Sequence, residues 1–176
     1  MKLVRFGDCG AEKPGLVDGD GCIRDISSVI SDWSYKTLNR ATLEQVASIS
    51  MADFPVVAAD VRLAAPVDRV GKIVGCALTY GKHAAEAGLE PPAEPMFMLT
   101  APSAINGPHD SVIMPLGATQ LDWEAELAVV FCKAGSNIPV DQAMDYVAGF
   151  CVGNDVSERV FQLERGTQWT KGKSAD

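Results

Sequence analysis

Leu121-Asp122-Trp123-Glu124-Ala125-Glu126-Leu127-Ala128-Val129-Val130-Phe131 places carboxylates inside a run that is otherwise mostly apolar. The stretch reads as strand. On a strand alternate side chains share a face, so Glu124 and Glu126 project with Ala128 and Val130, while Ala125, Leu127, Val129 and Phe131 line the other side. Both faces are apolar beyond the carboxylates, the pattern of a covered strand. Glutamate is depleted in strands and is rarely fully buried unless paired. Two carboxylates pushed together do not both ionise cheaply without a cation between them. A hard divalent ion such as Mg²⁺ would satisfy both. An edge strand with two solvated glutamates is the competing interpretation, and this stretch alone leaves both open.

Three further constellations bear on chemistry. In Asn154-Asp155-Val156-Ser157-Glu158-Arg159-Val160-Phe161-Gln162-Leu163, a helix is expected from about Asp155 to Arg165. Asp155, Arg159 and Gln162 then share one stripe, beside an apolar stripe of Val156, Val160 and Leu163. A carboxylate, a guanidinium and an amide so placed can reach a metal and an anionic ligand together. The plainer alternative makes Asp155 an N-cap with Glu158 completing a capping box, and Asp155–Arg159 a surface ion pair. In Tyr80-Gly81-Lys82-His83-Ala84-Ala85-Glu86, His83 and Glu86 are neighbours on a short helix, and a carboxylate beside an imidazole orients it and raises its basicity. A surface His–Glu contact is the alternative. Gln168-Trp169-Thr170-Lys171-Gly172-Lys173-Ser174 lacks phosphate-loop spacing and, by itself, reads as a solvated basic turn.

Outward from these motifs, the first sixty or so residues read as a small separate unit. Strands are expected around Leu3–Phe6, Gly15–Val17 and Cys22–Ile26, with a hairpin turn at Asp18-Gly19-Asp20-Gly21 and a helix from Leu38 to Ile49. After a linker containing Pro55 and Pro66, Lys72–Leu78 reads as a buried strand, followed by a helix from Gly81 to Gly88 and a strand at Met96–Leu99. A helix at Val140–Asp145 and a strand at Tyr146–Val152 complete the pattern. The fold class expected is α+β, mainly β, with a domain over 1–65 and a second over 70–176.

The composition narrows the function classes. The chain has 176 residues, 47% hydrophobic and 22% charged, with 15 Lys and Arg against 23 Asp and Glu. A net charge of −8 argues against nucleic acid or an anionic membrane surface as the main partner. No apolar run is long enough to span a bilayer, and the start lacks the apolar stretch of a signal peptide. Cys9, Cys22, Cys76, Cys132 and Cys151 form no C-x-x-C pair and read as buried free thiols in a reducing compartment. A soluble cytoplasmic protein is expected.

Taken together and in this order, Tyr80…His83…Glu86, Asp122–Val130, Asp145-Tyr146-Val147-Ala148-Gly149, Asn154–Arg159 and Gln162–Gly166…Gln168–Ser174 resemble the fumarylacetoacetate hydrolase family. The likeness runs from about Ile73 to the end. It is nearest in tone to bacterial members that act on diketo-deoxy sugar acids or are called ureidoglycolate lyases. The opening is similar to the small N-terminal domain many such members carry. The resemblance implies a mixed β-roll, incomplete here, and a homodimer. It further implies Mg²⁺ or Mn²⁺ on Glu124, Glu126 and Asp155, and a small 2-oxo acid substrate. His83, oriented by Glu86, would activate water for C–C bond cleavage. Lys173 would stabilise developing negative charge, and Tyr80, Arg159 and Gln162 would bind substrate. Three departures stand out: Lys82 replaces an acidic residue before the histidine, Thr100 replaces a common lysine, and family members continue past Asp176 with strands that finish the roll. These departures set an alternative beside the hydrolase, a truncated non-catalytic fragment or pseudoenzyme. Lyase, isomerase or decarboxylase chemistry on a 2-oxo acid is a third reading.

Overall fold

A computed structural model describes residues 1–175. Strands β1 (Lys2–Phe6), β2 (Lys13–Val17) and β3 (Ile23–Asp25) lead to helix α1 (Arg40–Ala47). Strand β4 (Ile73–Ala77), helix α2 (Gly81–Glu86) and strand β5 (Met96–Thr100) follow. The remaining strands are β6 (Leu121–Asp122), β7 (Ala125–Phe131), β8 (Val147–Asn154) and β9 (Ser157–Glu158), with short 3-10 and π-helical turns between and after them. The fold is α+β with strands dominant, and among the described residues no barrel closes. No helix among them is long and apolar enough to cross a membrane.

The chain forms two compact units. The first comprises 1–70, 106–111 and 125–153. Its β1-β2-β3 sheet is antiparallel, in the register Lys2↔Val17 and Gly15↔Asp25. The expected turn at Asp18–Gly21 forms because Asp18 Oδ1 accepts the N–H groups of Asp20 and Cys22, at 3.0 and 2.9 Å, while Gly21 takes a φ of +84°. Asn39 caps α1 by accepting the Thr42 N–H at 3.0 Å. Leu16, Ile26, Ile30, Trp33, Leu38 and Val46 make the core, with Val130, Cys132 and Ala148 packed against it from β7, the turn after β7, and β8. Trp33 satisfies its indole N–H on the Gly15 carbonyl at 3.2 Å, so its polar atom carries no burial penalty. Arg62 holds 106–111 by donating to both oxygens of Asp110, at 2.8 and 2.5 Å.

The second unit comprises 71–105, 112–124 and, among the described residues, 154–175. Here β4 pairs antiparallel with β5, Ile73 opposite Thr100, and β6 pairs antiparallel with β9, Leu121 opposite Glu158. Thr170 Oγ1 donates to the Leu99 carbonyl at 2.7 Å, and Ser174 Oγ accepts the Ala101 N–H at 3.1 Å. The segment around Thr170–Ser174 is thereby laced to β5.

The structure corrects several expectations. The strand expected across Leu121–Phe131 breaks at Trp123-Glu124, because Asp122 Oδ1 and Asn154 Oδ1 take the N–H groups of those two residues, at 2.9 and 3.0 Å. The helix expected from Asp155 to Arg165 does not form. Ser157 and Glu158 join the β6–β9 ladder, Arg159 N donates to the Gln120 carbonyl at 3.0 Å, and only a π-helical turn, Val160–Glu164, remains. The cysteines are free but not buried: Cys9 and Cys22 are exposed and the other three partly so. The strand at β4 is not buried either, Val74 being 51% exposed. On β7 the face of Leu127, Val129 and Phe131 lies open, as do Phe150 and Val152 on β8, so the expected cover is absent among the described residues.

Candidate functional site

The break at Trp123-Glu124 builds the site. Glu124 leaves the strand, and its main chain is clamped at both ends: Asn154 Oδ1 takes its N–H, and its carbonyl accepts the Asp155 N–H at 2.9 Å. The two acidic residues, thirty-one apart in sequence, are thus neighbours through main-chain bonds before their side chains act. Glu126 follows one residue beyond Ala125, which tethers it close to Glu124. One carboxylate oxygen from each of Glu124, Glu126 and Asp155 lies within 4.8 Å of the others, and all three residues are partly buried.

Two cations serve this group. Lys173 Nζ donates to Glu124 Oε2 at 2.7 Å and to Asp155 Oδ2 at 2.8 Å, with its side chain only 2% exposed. Arg159 Nη1 meets Glu124 Oε1 at 2.6 Å, and Nε and Nη2 both reach Asp122 Oδ2, at 3.0 and 2.7 Å. Nη1 also donates to Gln162 Oε1 at 3.0 Å. Both oxygens of Glu124 are therefore engaged. Burial works to raise the Glu124 carboxyl, but the hydrogen bonds from Lys173 and Arg159 outweigh it and hold it below the usual range. Asp155 goes the other way: burial lifts it, Lys173 only partly offsets that, and Glu124 adds like-charge repulsion. Arg159 holds Asp122 low.

The donor set suits a hard divalent ion. All three donors are carboxylate oxygens, the chemistry of Mg²⁺, Mn²⁺ or Ca²⁺ rather than of thiophilic metals. Oxygens around an octahedral ion at ~2.1 Å stand about 3 Å apart when adjacent and about 4 Å when opposite, separations that fit the 4.8 Å envelope. Lys173 and Arg159 pair with Asp122, Glu124 and Asp155, and Glu126 brings a further carboxylate oxygen to the same group.

The predicted site residues thus fall into two sets. Glu124, Glu126, Asp155, Arg159, Gln162 and Lys173 come together. The shared helical stripe does not explain this, since that helix is absent; Arg159 and Gln162 meet across the start of the π-helical turn instead. The Asp155–Arg159 surface pair is likewise replaced, Asp155 binding Lys173 and Arg159 binding Asp122 and Glu124. Lys173 is buried, which corrects the solvated basic turn, whereas exposed Lys171 merely donates to the Arg165 carbonyl. His83 and Glu86 are exposed on α2, and among the described residues no hydrogen bond or ion pair joins them to each other or to the acidic group. Tyr80 precedes α2 and is 43% exposed. Sequence reasoning gave no role to Asp122, Asn154 or a buried Glu158. The clue available was the density of polar residues flanking the strand break.

Residues 72–176, more than half of the chain, match the family model described as Fumarylacetoacetate (FAA) hydrolase C-terminal. A Burkholderia ambifaria protein that carries the name "Putative hydrolase" is 47% identical over 176 residues, all of this chain and 62% of that relative. Among solved structures, a fumarylacetoacetate hydrolase from Exiguobacterium antarcticum is 27% identical with a TM-score of 0.79, covering 100% of this chain and 62% of its own. A 5-carboxymethyl-2-hydroxymuconate delta-isomerase from Mycobacterium smegmatis is 27% identical with a TM-score of 0.72, again over 100% and 62%. The chain thus spans about three-fifths of the length of these relatives.

Proposed function

The chain belongs to the fumarylacetoacetate hydrolase family, and on that premise we propose that it carries the metal- and substrate-binding residues of an enzyme hydrolysing a C–C bond in a small 2-oxo (diketo) acid. The observation that carries this reading is the convergence of Glu124, Glu126 and Asp155 within 4.8 Å, beside Lys173 and Arg159. Those carboxylates would hold Mg²⁺ or Mn²⁺, whose chemistry there is Lewis acidity toward a carbonyl oxygen.

The remaining work falls to side chains. Arg159 and Gln162, already joined, present a guanidinium and an amide to substrate oxygens, with Tyr80 as a further contact. The Lys173 ammonium balances negative charge as it develops in the water-poor part of the cluster. His83, the residue to which the resemblance assigns the role, takes a proton from water; Glu86 lies three residues on in α2 and is not hydrogen-bonded to its imidazole here. The hydroxyl adds to the keto carbon, the adjacent C–C bond breaks with its electron pair on the departing carbon, and that carbon takes up the proton held by His83.

Isomerisation of the same substrate class is the second reading, supported by an isomerase among the structural neighbours; it needs the proton transfer without addition of water. Calorimetric titration with Mn²⁺ tests the metal site: wild-type chain binds and Glu124→Ala does not, whereas equal binding in both removes it. Incubating acylpyruvates with the loaded chain separates the chemistries. Loss of enol absorbance with two products supports hydrolysis, and one product of unchanged mass supports isomerisation.

A further inference from the structure

Three main-chain N–H groups of the second unit converge on one carboxylate that the chemistry above does not use. Glu158 is 2% exposed. Its Oε1 accepts the N–H groups of Thr119 and Gln120 at 2.9 and 2.7 Å, and its Oε2 accepts that of Phe161 at 2.7 Å. A carboxylate persists out of water only where other donors replace its hydration, and N–H bonds to an ionised acceptor are among the stronger ones. Oriented main-chain amides do that here, so the carboxylate ties the loop before β6 to the turn after β9.

What these bonds hold in place is the backbone under the charged cluster. Gln120 is gripped twice, by its N–H on Glu158 and by its carbonyl on the Arg159 N–H at 3.0 Å. The Phe161 bond starts the π-helical turn that carries Gln162, a side chain 6% exposed that accepts from Arg159. Gly172 lies against the same segment: a Cβ there would stand 2.8 Å from the Glu158 carbonyl oxygen and 2.7 Å from the Gln162 nitrogen. Lys173 is the next residue.

We propose that Glu158 is the positioning residue of the cluster, setting the backbone from which Arg159 reaches Glu124 and Asp122, Gln162 meets Arg159 and, through Gly172, Lys173 reaches Glu124 and Asp155. The inference deepens the reading of that cluster as a metal site, on which only its second readout rests. The first uses the metal-free full chain, ¹⁵N-labelled, as wild type, Glu158→Gln and Glu158→Ala. Glutamine keeps one acceptor oxygen for Thr119 and Gln120 but turns an amide toward Phe161. The Phe161 amide then exchanges about tenfold faster or more, and in the alanine variant all three amides do so. The Arg159 Nε–H, 3.0 Å from Asp122, loses protection in parallel. The second readout is Mn²⁺ affinity, which falls about tenfold or more in the alanine variant and less in the glutamine variant, as for outer partners of metal ligands. Val46→Ala, in the core of the first unit, lowers stability without moving either readout. An open Phe161 amide with an unmoved Arg159 Nε–H and wild-type Mn²⁺ affinity overturns the proposal. A wild-type chain that binds no Mn²⁺ sinks the metal reading instead, and Arg159 Nε–H then decides the role of Glu158 alone. If the alanine variant does not fold, the volume-preserving glutamine variant decides.

Discussion

Replacing Lys173 by methionine tests whether the cluster is held by charge. Methionine keeps most of the stem and removes the ammonium, so packing is nearly conserved and the two bonds at 2.7 and 2.8 Å are lost. Side chains 11% and 13% exposed are then left with an uncompensated charge. Removing one partner of a buried pair costs about 3–5 kcal/mol. Arg159 still serves Glu124, so the lower end applies, about 3 kcal/mol near pH 7.5. For a chain of this length that is a fall in Tm of roughly 6–12 °C. The sign with pH follows from linkage. Without the ammonium Asp155, already raised by burial, loses what offsets that rise, and Glu124 loses one of the two hydrogen bonds that hold it low, so the variant gains stability relative to the wild type as pH falls. In the wild type Glu124 is held low, and the stability it contributes is present above the unfolded value and lost as pH falls through the folded one. Both trends narrow the gap between the proteins in acid. Thermal unfolding at pH 7.5 and pH 4.5 reads this directly. Equal stability at pH 7.5, or the same gap at both pH values, would refute the electrostatic account and leave only packing.

Asp155→Asn removes one carboxylate from the acidic group and lowers Mn²⁺ affinity about tenfold or more, measured by calorimetry. Gly172→Ala forces a Cβ against the Gln162 nitrogen and Glu158 carbonyl, main-chain atoms that do not yield cheaply, and costs about 1–3 kcal/mol in urea unfolding. Trp33→Ala empties a fully buried site and removes a hydrogen bond to the Gly15 carbonyl, costing about 3–5 kcal/mol by the same assay. The Arg62 hydrogen bonds hold Asp110 low. The stability from this pair is therefore present above the ordinary Asp value and lost as pH falls below about 4, so the urea midpoints of wild type and Asp110→Asn converge in acid.

Local chemistry was legible mainly where bonds are local. The turn at Asp18–Gly21 depends on residues within four positions of one another and appears where side-chain type places it, whereas the equally local cap at Asn39 was not among the expected features. Strands β4, β5 and β8 match apolar runs because a run of that length and composition has few other ways to be ordered. The helix expected at Asp155–Arg165 failed for the complementary reason. Its periodicity is real, but Leu121–Asp122, more than thirty residues away, supplies a ladder for Ser157–Glu158, and non-local pairing overrode the local preference.

The amino-acid sequence alone brought forward Glu124 and Glu126 as carboxylates inside an apolar run, and Asp155, Arg159 and Gln162 as polar groups beside an apolar stripe, while Lys173 entered only through the family resemblance. Only the tertiary structure decided which carboxylate meets which cation. Asp155 takes Lys173 rather than Arg159, Arg159 takes Asp122 and Glu124, and Glu158 turns inward to main-chain amides. A side chain's type is written at its own position, but its partner depends on where distant main chain breaks and pairs. At this site, that is the interruption at Trp123-Glu124 and the β6–β9 ladder.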